Sequence, residues 1–254
     1  MNILVTGGAG YIGSHMVYAL LDHGYNVHVI DNLSTGNELI LPSNIDFTKC
    51  DIQNSKTISN LISKKKFTAV AHFAASISVF ESTQKPMKYF KNNVSNSIIF
   101  FDNCLKNNIN KILFSSTAAV YGNPEDKIIS ENHSKNPISI YGETKLIVER
   151  ILQSLSYATN MNYGILRYFN VAGADPKNRT GQLTNNATHL IKVACETALG
   201  YRSKMEIYGN DYNTNDGTAV RDYIHVTDLI EAHILLLKKI IASKENFIFN
   251  CGYG

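Results

Sequence analysis

No stretch of the 254 residues reaches the ~20 consecutive apolar positions that a bilayer-spanning helix needs, so no membrane partner is expected. The four cysteines, Cys50, Cys104, Cys195 and Cys251, are scattered without CxxC spacing. They read as small core residues kept in a reducing compartment. The eight histidines form no cluster at a recognisable ligand spacing, so no metal is expected. A net charge of only +3 does not mark a nucleic-acid surface and weakly favours anionic small molecules. The tight basic run Lys64 to Lys66 reads as a solvated helix end. The first residues enter an apolar strand at once, without the charged and apolar regions of a signal peptide. The expectation is a soluble, cytoplasmic protein. No internal repeat or low-complexity segment stands out.

What is present is alternation. Apolar runs at Ile3 to Val5, Val27 to Ile30, Ile45 to Phe47, Ala69 to Phe73, Lys111 to Phe114 and Tyr163 to Arg167 predict strands. Helices are predicted between them at 13–23, 55–64, 86–105 and 139–158. This rhythm predicts an α/β fold with a doubly wound parallel sheet of the Rossmann type. After Gly173 the pattern loosens. The rest predicts a second, smaller unit with a helix at 189–199, a strand at Met205 to Tyr208, a helix at 227–241 and a strand at Phe247 to Cys251. The turn Gly252-Tyr253-Gly254 follows it. The expected division is 1–175 for a dinucleotide-binding domain and 176–254 for a substrate-binding domain.

The first strand ends in Thr6-Gly7-Gly8-Ala9-Gly10-Tyr11-Ile12-Gly13. Glycines are needed there because a Cβ would hold the backbone away from a pyrophosphate and block close helix–strand packing. The following helix N-terminus offers free N–H groups and partial positive charge to phosphates. Asp31 ends the second strand, eighteen positions after Gly13. A carboxylate there binds both ribose hydroxyls and repels a 2′-phosphate, which points to NAD rather than NADP.

Tyr141 and Lys145 lie four apart in a predicted helix and so share a face. An ammonium beside a phenol favours the phenolate, and the pair is then able to take a proton from a sugar hydroxyl as hydride leaves. Ser115-Ser116-Thr117 follows the strand Lys111 to Phe114, at the end of a parallel strand where ligands bind.

These motifs in this order resemble the extended short-chain dehydrogenase/reductase superfamily, and within it the UDP-glucose 4-epimerases, over the whole chain. Further blocks that carry the resemblance are Arg167 to Gly173 and Asp216 to Asp228. The resemblance implies that Gly7, Gly10, Tyr11, Ile12, Gly13, Asp31, Asn32, Ser34 and Gly36 hold the pyrophosphate and adenosine ribose of NAD. It implies that Asp51 and Ile52 border the adenine. It places Phe73, Ala74, Ala75 and Asn92 along the cofactor and Phe169 at the nicotinamide. Thr117, Tyr141 and Lys145 would be the catalytic group. Asn170 and Arg221 would bind the diphosphate of a UDP-sugar, with His189 and Thr117 also on the substrate side. A homodimer through the helices 86–105 and 139–158 is implied as well, with Val94, Ile98, Ile99, Phe100 and Phe101 making the first of them broadly apolar.

Two positions depart from the family pattern. Phe80 stands where Gly is usual, and His189-Leu190 replaces Asn-Leu. His189 reads equally well as a partly buried helix histidine. A 4,6-dehydratase would need Asp-Glu after the active-site Thr, and Ala118-Ala119 stand there instead. Alternative readings are a 4-epimerase of another UDP-sugar (N-acetylhexosamine or pentose) and a non-catalytic NAD-binding regulator. In the family the last strand and turn lead into further helices and strands. The chain is therefore expected to stop short of a complete substrate domain, leaving apolar surface of helix 227–241 exposed.

Overall fold

The computed structural model describes residues 1–124, 128–184 and 187–253, so Gly254 of the last turn lies outside the described residues. Strand side chains alternate between two faces. Here both faces are apolar: Ile3 and Val5 pack into one core, Leu4 into the other, and the same split recurs at Ala69, Ala71 and Val70. Strands buried on both faces need helices above and below.

That is the architecture. The elements run β1 (Asn2–Thr6), α1 (Tyr11–Asp22), β2 (Asn26–Asp31), β3 (Asp46–Lys49), α2 (Ser55–Lys64), β4 (Ala69–His72), α3 (Val79–Gln84), α4 (Pro86–Tyr89), α5 (Asn96–Lys106) and β5 (Lys111–Ser115). They continue with α6 (Ile140–Ala158), β6 (Asn162–Tyr168), β7 (Asn170–Ala172), α7 (Leu190–Ala198), β8 (Tyr223–His225), α8 (Val226–Ala242) and β9 (Phe247–Cys251). Seven strands form one sheet in the order β3-β2-β1-β4-β5-β6-β9, every pair parallel. Helices α1 and α8 supply Met16, Val17, Leu20, Leu229 and Ile234 to one core. Helices α2, α5 and α6 supply Ile58, Phe100, Phe101 and Leu152 to the other. Each such side chain, fully buried, contributes about 1.5–3 kcal/mol. Strand order reverses between β1 and β4, and the crevice at their carboxyl ends is where such sheets bind ligands.

Several expectations change. The helix expected over 86–105 is three segments: α4, a π-helical stretch Phe90–Ser95, and α5. No strand forms at Met205 to Tyr208; Ile207 and Tyr208 are exposed and have no strand beside them to pair with. The sequence division at residue 175 separates α8 and β9 from the dinucleotide unit, yet α8 packs on α1 and β9 is an edge strand of the large sheet. The apolar face of α8 is buried there, with Val226, Leu229, Ile234 and Leu237 fully enclosed. Leu235 is the large apolar side chain of α8 left exposed, and further exposed apolar side chains fall on and after α7, at Leu190, Ile191, Leu199 and Tyr201. A separate two-stranded parallel sheet, β7-β8, stands beside the main one.

Candidate active site

The glycine turn between β1 and α1 is closed by contact rather than by flexibility alone. Gly7 has φ +72°, and a Cβ on it would lie 2.6 Å from the Ala74 nitrogen, so the loops after β1 and β4 touch. A Cβ on Gly13 would lie 2.1 Å from the Gly7 carbonyl oxygen, which fixes how tightly α1 approaches the turn. Gly36 likewise rests against the Ala9 backbone. No side chain caps the N-terminus of α1 at Gly10, so its N–H groups face the crevice uncapped by the chain. Asp31 sits at the end of β2. Its Oδ2 accepts from Ala9 N–H at 3.0 Å and its Oδ1 from Leu33 N–H at 2.8 Å. Burial raises its carboxyl pKa and these two bonds oppose the rise. The cradle fits a dinucleotide: a backbone surface without Cβ atoms, a helix N-terminus, and a carboxylate held at the second strand.

The remaining cofactor positions gather at the same end of the sheet. Asn32 donates to Asp51 Oδ2 at 2.9 Å, and Asn96 donates to Oδ1 of the same carboxylate at 3.3 Å. Ser34 N–H is held by Asn32 Oδ1 at 2.9 Å, and Ile52 is buried beneath them. Phe73, Ala74 and Ala75 follow β4. Asn92 lies in the π-helical stretch, where its amide reaches Ser76 Oγ at 3.2 Å. The neighbouring Asn93 was not singled out from sequence. Its side chain accepts from Ser76 N–H at 2.8 Å and donates to Thr144 Oγ1 at 3.0 Å, tying the loop after β4 to α6.

On α6, Tyr141 and Lys145 face the end of β5. The Thr117 hydroxyl hydrogen-bonds the Tyr141 phenol. Lys145 Nζ donates to the Ser115 carbonyl at 2.8 Å and stands 5.9 Å from the centroid of the Tyr141 ring. Burial pushes the lysine down to about 7, opposed by the charge of Glu149. The expected lowering of the phenol by Lys145 is not what dominates. Burial raises the Tyr141 phenol above its ordinary value, with the Thr117 bond opposing. Tyr168 and Tyr89 add to the rise.

A cleft of about 290 Å³ opens beside β7 and α7, lined by Asn170, Gly173, Gln182, His189, Lys192 and Tyr223. Phe169 precedes β7, and Gly252 packs against its ring. The Asn170 amide donates to the Asp222 carbonyl at 2.9 Å. His189 is exposed at the start of α7, where its Nδ1 accepts from Gln182 Nε2 at 2.9 Å. Arg221 is not brought to this cleft: it is exposed, and its Nη1 donates to the adjacent Val220 carbonyl at 2.8 Å. Phe80 is exposed on α3, a short helix capped by Ser78. Sequence reasoning missed Glu149 and Arg167 as site residues. Glu149 lies four positions after Lys145 on the same helical face, and that spacing was the signal. Among the described residues no group of histidine, cysteine or carboxylate side chains is arranged to hold a metal ion, and no helix is long and apolar enough to cross a membrane.

A doubly wound sheet with a glycine crevice beside a Tyr-Lys-Thr group defines a class of nucleotide-binding proteins that includes oxidoreductases and epimerases. The chain belongs to the NAD dependent epimerase/dehydratase family, whose model matches residues 3–252. It is 48% identical to a UDP-glucose 4-epimerase of Azospirillum brasilense over 253 residues, 100% of this chain and 73% of the relative. It is also similar to the crystal structure of UDP-glucose 4-epimerase from Brucella ovis in complex with NAD, with TM-score 0.95 and 42% identity over 99% of this chain and 77% of that one. The UDP-Glc/GlcNAc 4-epimerase of Campylobacter jejuni superposes with TM-score 0.84 and 44% identity, covering 100% and 78%.

Proposed function

We propose that the chain interconverts UDP-glucose and UDP-galactose by epimerisation at C4, with NAD held in the β1–β4 crevice. The observation that carries this reading is the Thr117–Tyr141–Lys145 group at the end of β5, with only β4 between it and the strand that carries the glycine turn. NAD held there would accept the hydride, return it once reduced, and in its oxidised form add a positive charge near the phenol. The chain's own residues do the rest. Tyr141 takes the C4 hydroxyl proton and later returns it to the 4-keto sugar. Thr117 orients the phenol and donates toward the reacting oxygen. Lys145, anchored on the Ser115 carbonyl, presents its ammonium below the ring and favours the phenolate when the proton leaves.

Gly7, Gly10, Gly13 and the first turn of α1 would hold the pyrophosphate, and Asp31 the adenosine ribose. Asn170 and His189 would face the diphosphate of the substrate, and Arg221 would have to turn from Val220 to join them. Residues 1–175, completed by α8 and β9, would form the dinucleotide unit, and the rest of 176–254 the substrate side. Exposed Ile98 and Ile99 on α5 and a shallow groove over Ile147, Ile151 and Leu155 on α6 support a homodimer through these helices. Phe100 and Phe101 are not part of that surface, because both are buried in the core. Four free cysteines fit a cytoplasmic location.

The second reading is a 4-epimerase that also takes N-acetylhexosamine, favoured by the likeness to the Campylobacter enzyme. Incubation with UDP-galactose, UDP-N-acetylgalactosamine and UDP-arabinose separately, with products read by NMR, decides between them. Conversion of UDP-galactose alone or fastest supports the first reading; no conversion of any of the three overturns both.

A further inference from the structure

We propose that Glu149 is a positioning residue for the catalytic lysine: through Ser116 it grips the turn whose Ser115 carbonyl anchors Lys145, and it sets the charge beside that ammonium. The inference rests on the epimerase reading above. Tyr141, Lys145 and Glu149 lie at successive four-residue steps on α6 and therefore on one face. Glu149 is fully buried and Arg167 nearly so. Glu149 Oε1 accepts from Ser116 Oγ at 2.5 Å and from Arg167 Nε at 3.0 Å, while Oε2 accepts from Arg167 Nη2 at 2.6 Å. Arg167 also donates from Nη1 to the Tyr121 hydroxyl at 2.7 Å, and Tyr121 donates to Asn250 Oδ1 at 2.6 Å. The carboxylate is thus fixed from the side of β6 and β9.

The consequence reaches the reacting groups through three consecutive residues. The Ser115 carbonyl takes the Lys145 proton donor, Ser116 is held by Glu149, and the Thr117 hydroxyl meets Tyr141. The Ser116 N–H is also tied to the Leu166 carbonyl at 2.9 Å, so the side chain of Ser116 is what remains for Glu149 to orient. A buried ion pair often adds little net stability compared with apolar residues of the same volume. Its position here, directly behind the turn, gives it another role. The groups that act on Lys145 are Glu149 and Tyr141 on α6 and His72 on β4; Tyr168 on β6 and Tyr89 at the end of α4 act on Tyr141, and Arg167 on β6 is bonded to Glu149. Lys135 lies within electrostatic reach of Glu149 and Arg167. Of these, Glu149 is the group that raises the lysine against its burial.

The test follows Lys145 directly, by NMR titration of 13C-labelled lysine ε-methylenes on the full chain, with Lys145→Met assigning the signal. Glu149→Gln leaves Arg167 buried without its partner and threatens folding, so Glu149→Gln/Arg167→Gln is measured beside it. The expected result is a Lys145 midpoint lower than wild type by about one pH unit. Ser116→Ala keeps both charges; it should leave the midpoint in place and lower kcat about tenfold with KM unchanged. An unchanged midpoint in the folded double variant, or wild-type kcat in Ser116→Ala, overturns the proposal. Absence of UDP-galactose turnover in the wild type would count against the epimerase reading, and the titration would still decide the role of Glu149.

Discussion

The Tyr11 hydroxyl donates a 2.6 Å hydrogen bond to the Gly173 carbonyl, fastening the first turn of α1 to the loop that lines the substrate-side cleft. Three further links hold the same loop. The Ser14 and Thr180 hydroxyls are bonded at 2.8 Å, Arg179 bridges Asp175 and Asp22, and its guanidinium lies over the Tyr18 ring. Gly173 itself has φ +101° with the His225 ring against it, so a side chain there would collide. The two halves of the site are therefore registered to each other through α1.

Removing that hydroxyl by Tyr11→Phe should cost about 1 kcal/mol and lower Tm by roughly 2–4 °C. The glycine turn and the backbone N–H of residue 11 are untouched and the lost hydroxyl points to Gly173 rather than into the cradle, so retained NAD should stay at the wild-type level while KM for the UDP-sugar rises. Calorimetry and steady-state kinetics check both. An unchanged KM would show that the link serves stability alone.

Gly13→Ala should abolish cofactor retention. Its Cβ would sit 2.1 Å from the Gly7 oxygen, and the obstacle is backbone that cannot swing aside. The turn must open, at a cost of about 1–3 kcal/mol. Cofactor released by acid and identified by mass gives the answer, and wild-type occupancy would contradict the geometry.

Acid should destabilise the fold through two enclosed histidines. His72 lies among the rings of Phe100, Phe101 and Phe114, and His233 between Phe73 and Tyr168. Burial pushes them down to about 3 and about 4 from 6.5. The folded pKa is depressed, so the unfolded chain binds protons that the folded chain refuses. The stability they contribute is present above pH 6.5 and is lost as pH falls toward 4. His233→Leu should remove about 1.4 kcal/mol per pH unit of that decline. Denaturant unfolding at several pH values measures it, and parallel curves for variant and wild type would contradict it.

Ile98→Asp should convert the proposed dimer into monomer, because it places a charge in the exposed apolar face of α5. Sedimentation at micromolar concentration reads the result. A wild type that sediments as a monomer would remove the dimer.

Much of this was legible from sequence for physical reasons. Runs such as Ile3 to Val5 carry both cores at once, so they mark buried parallel strands without ambiguity of face. The glycine turn and Asp31 are local in the chain, and the structure keeps them local. What escaped depends on distant pairing. Asn250 and Arg167 meet through Tyr121 only because β9 returns to the side of β6, and no local period signals that return. The π-helical stretch at Phe90–Ser95 was hidden because its apolar spacing reads as one helix; within it Asn92 and Asn93 hydrogen-bond Ser76, a contact across the chain that no local period signals. Arg221 was placed on the substrate by resemblance, and its present contact with Val220 is a local choice of rotamer that no motif encodes.

Tyr141→Phe should leave cofactor retention intact and lower turnover by ~10²–10⁴-fold, because the phenol is the proton acceptor at O4. Thr117→Ala should be milder. Near-normal turnover in Tyr141→Phe would remove Tyr141 from the mechanism.

The most direct measurement is conversion of UDP-galactose in D₂O with no dinucleotide added, followed by proton NMR of the sugar. UDP-glucose should form and keep its C4 hydrogen, since the same hydride leaves C4 and returns to it while only the hydroxyl proton exchanges through Tyr141. Deuterium at C4, or no UDP-glucose at all, would contradict the mechanism.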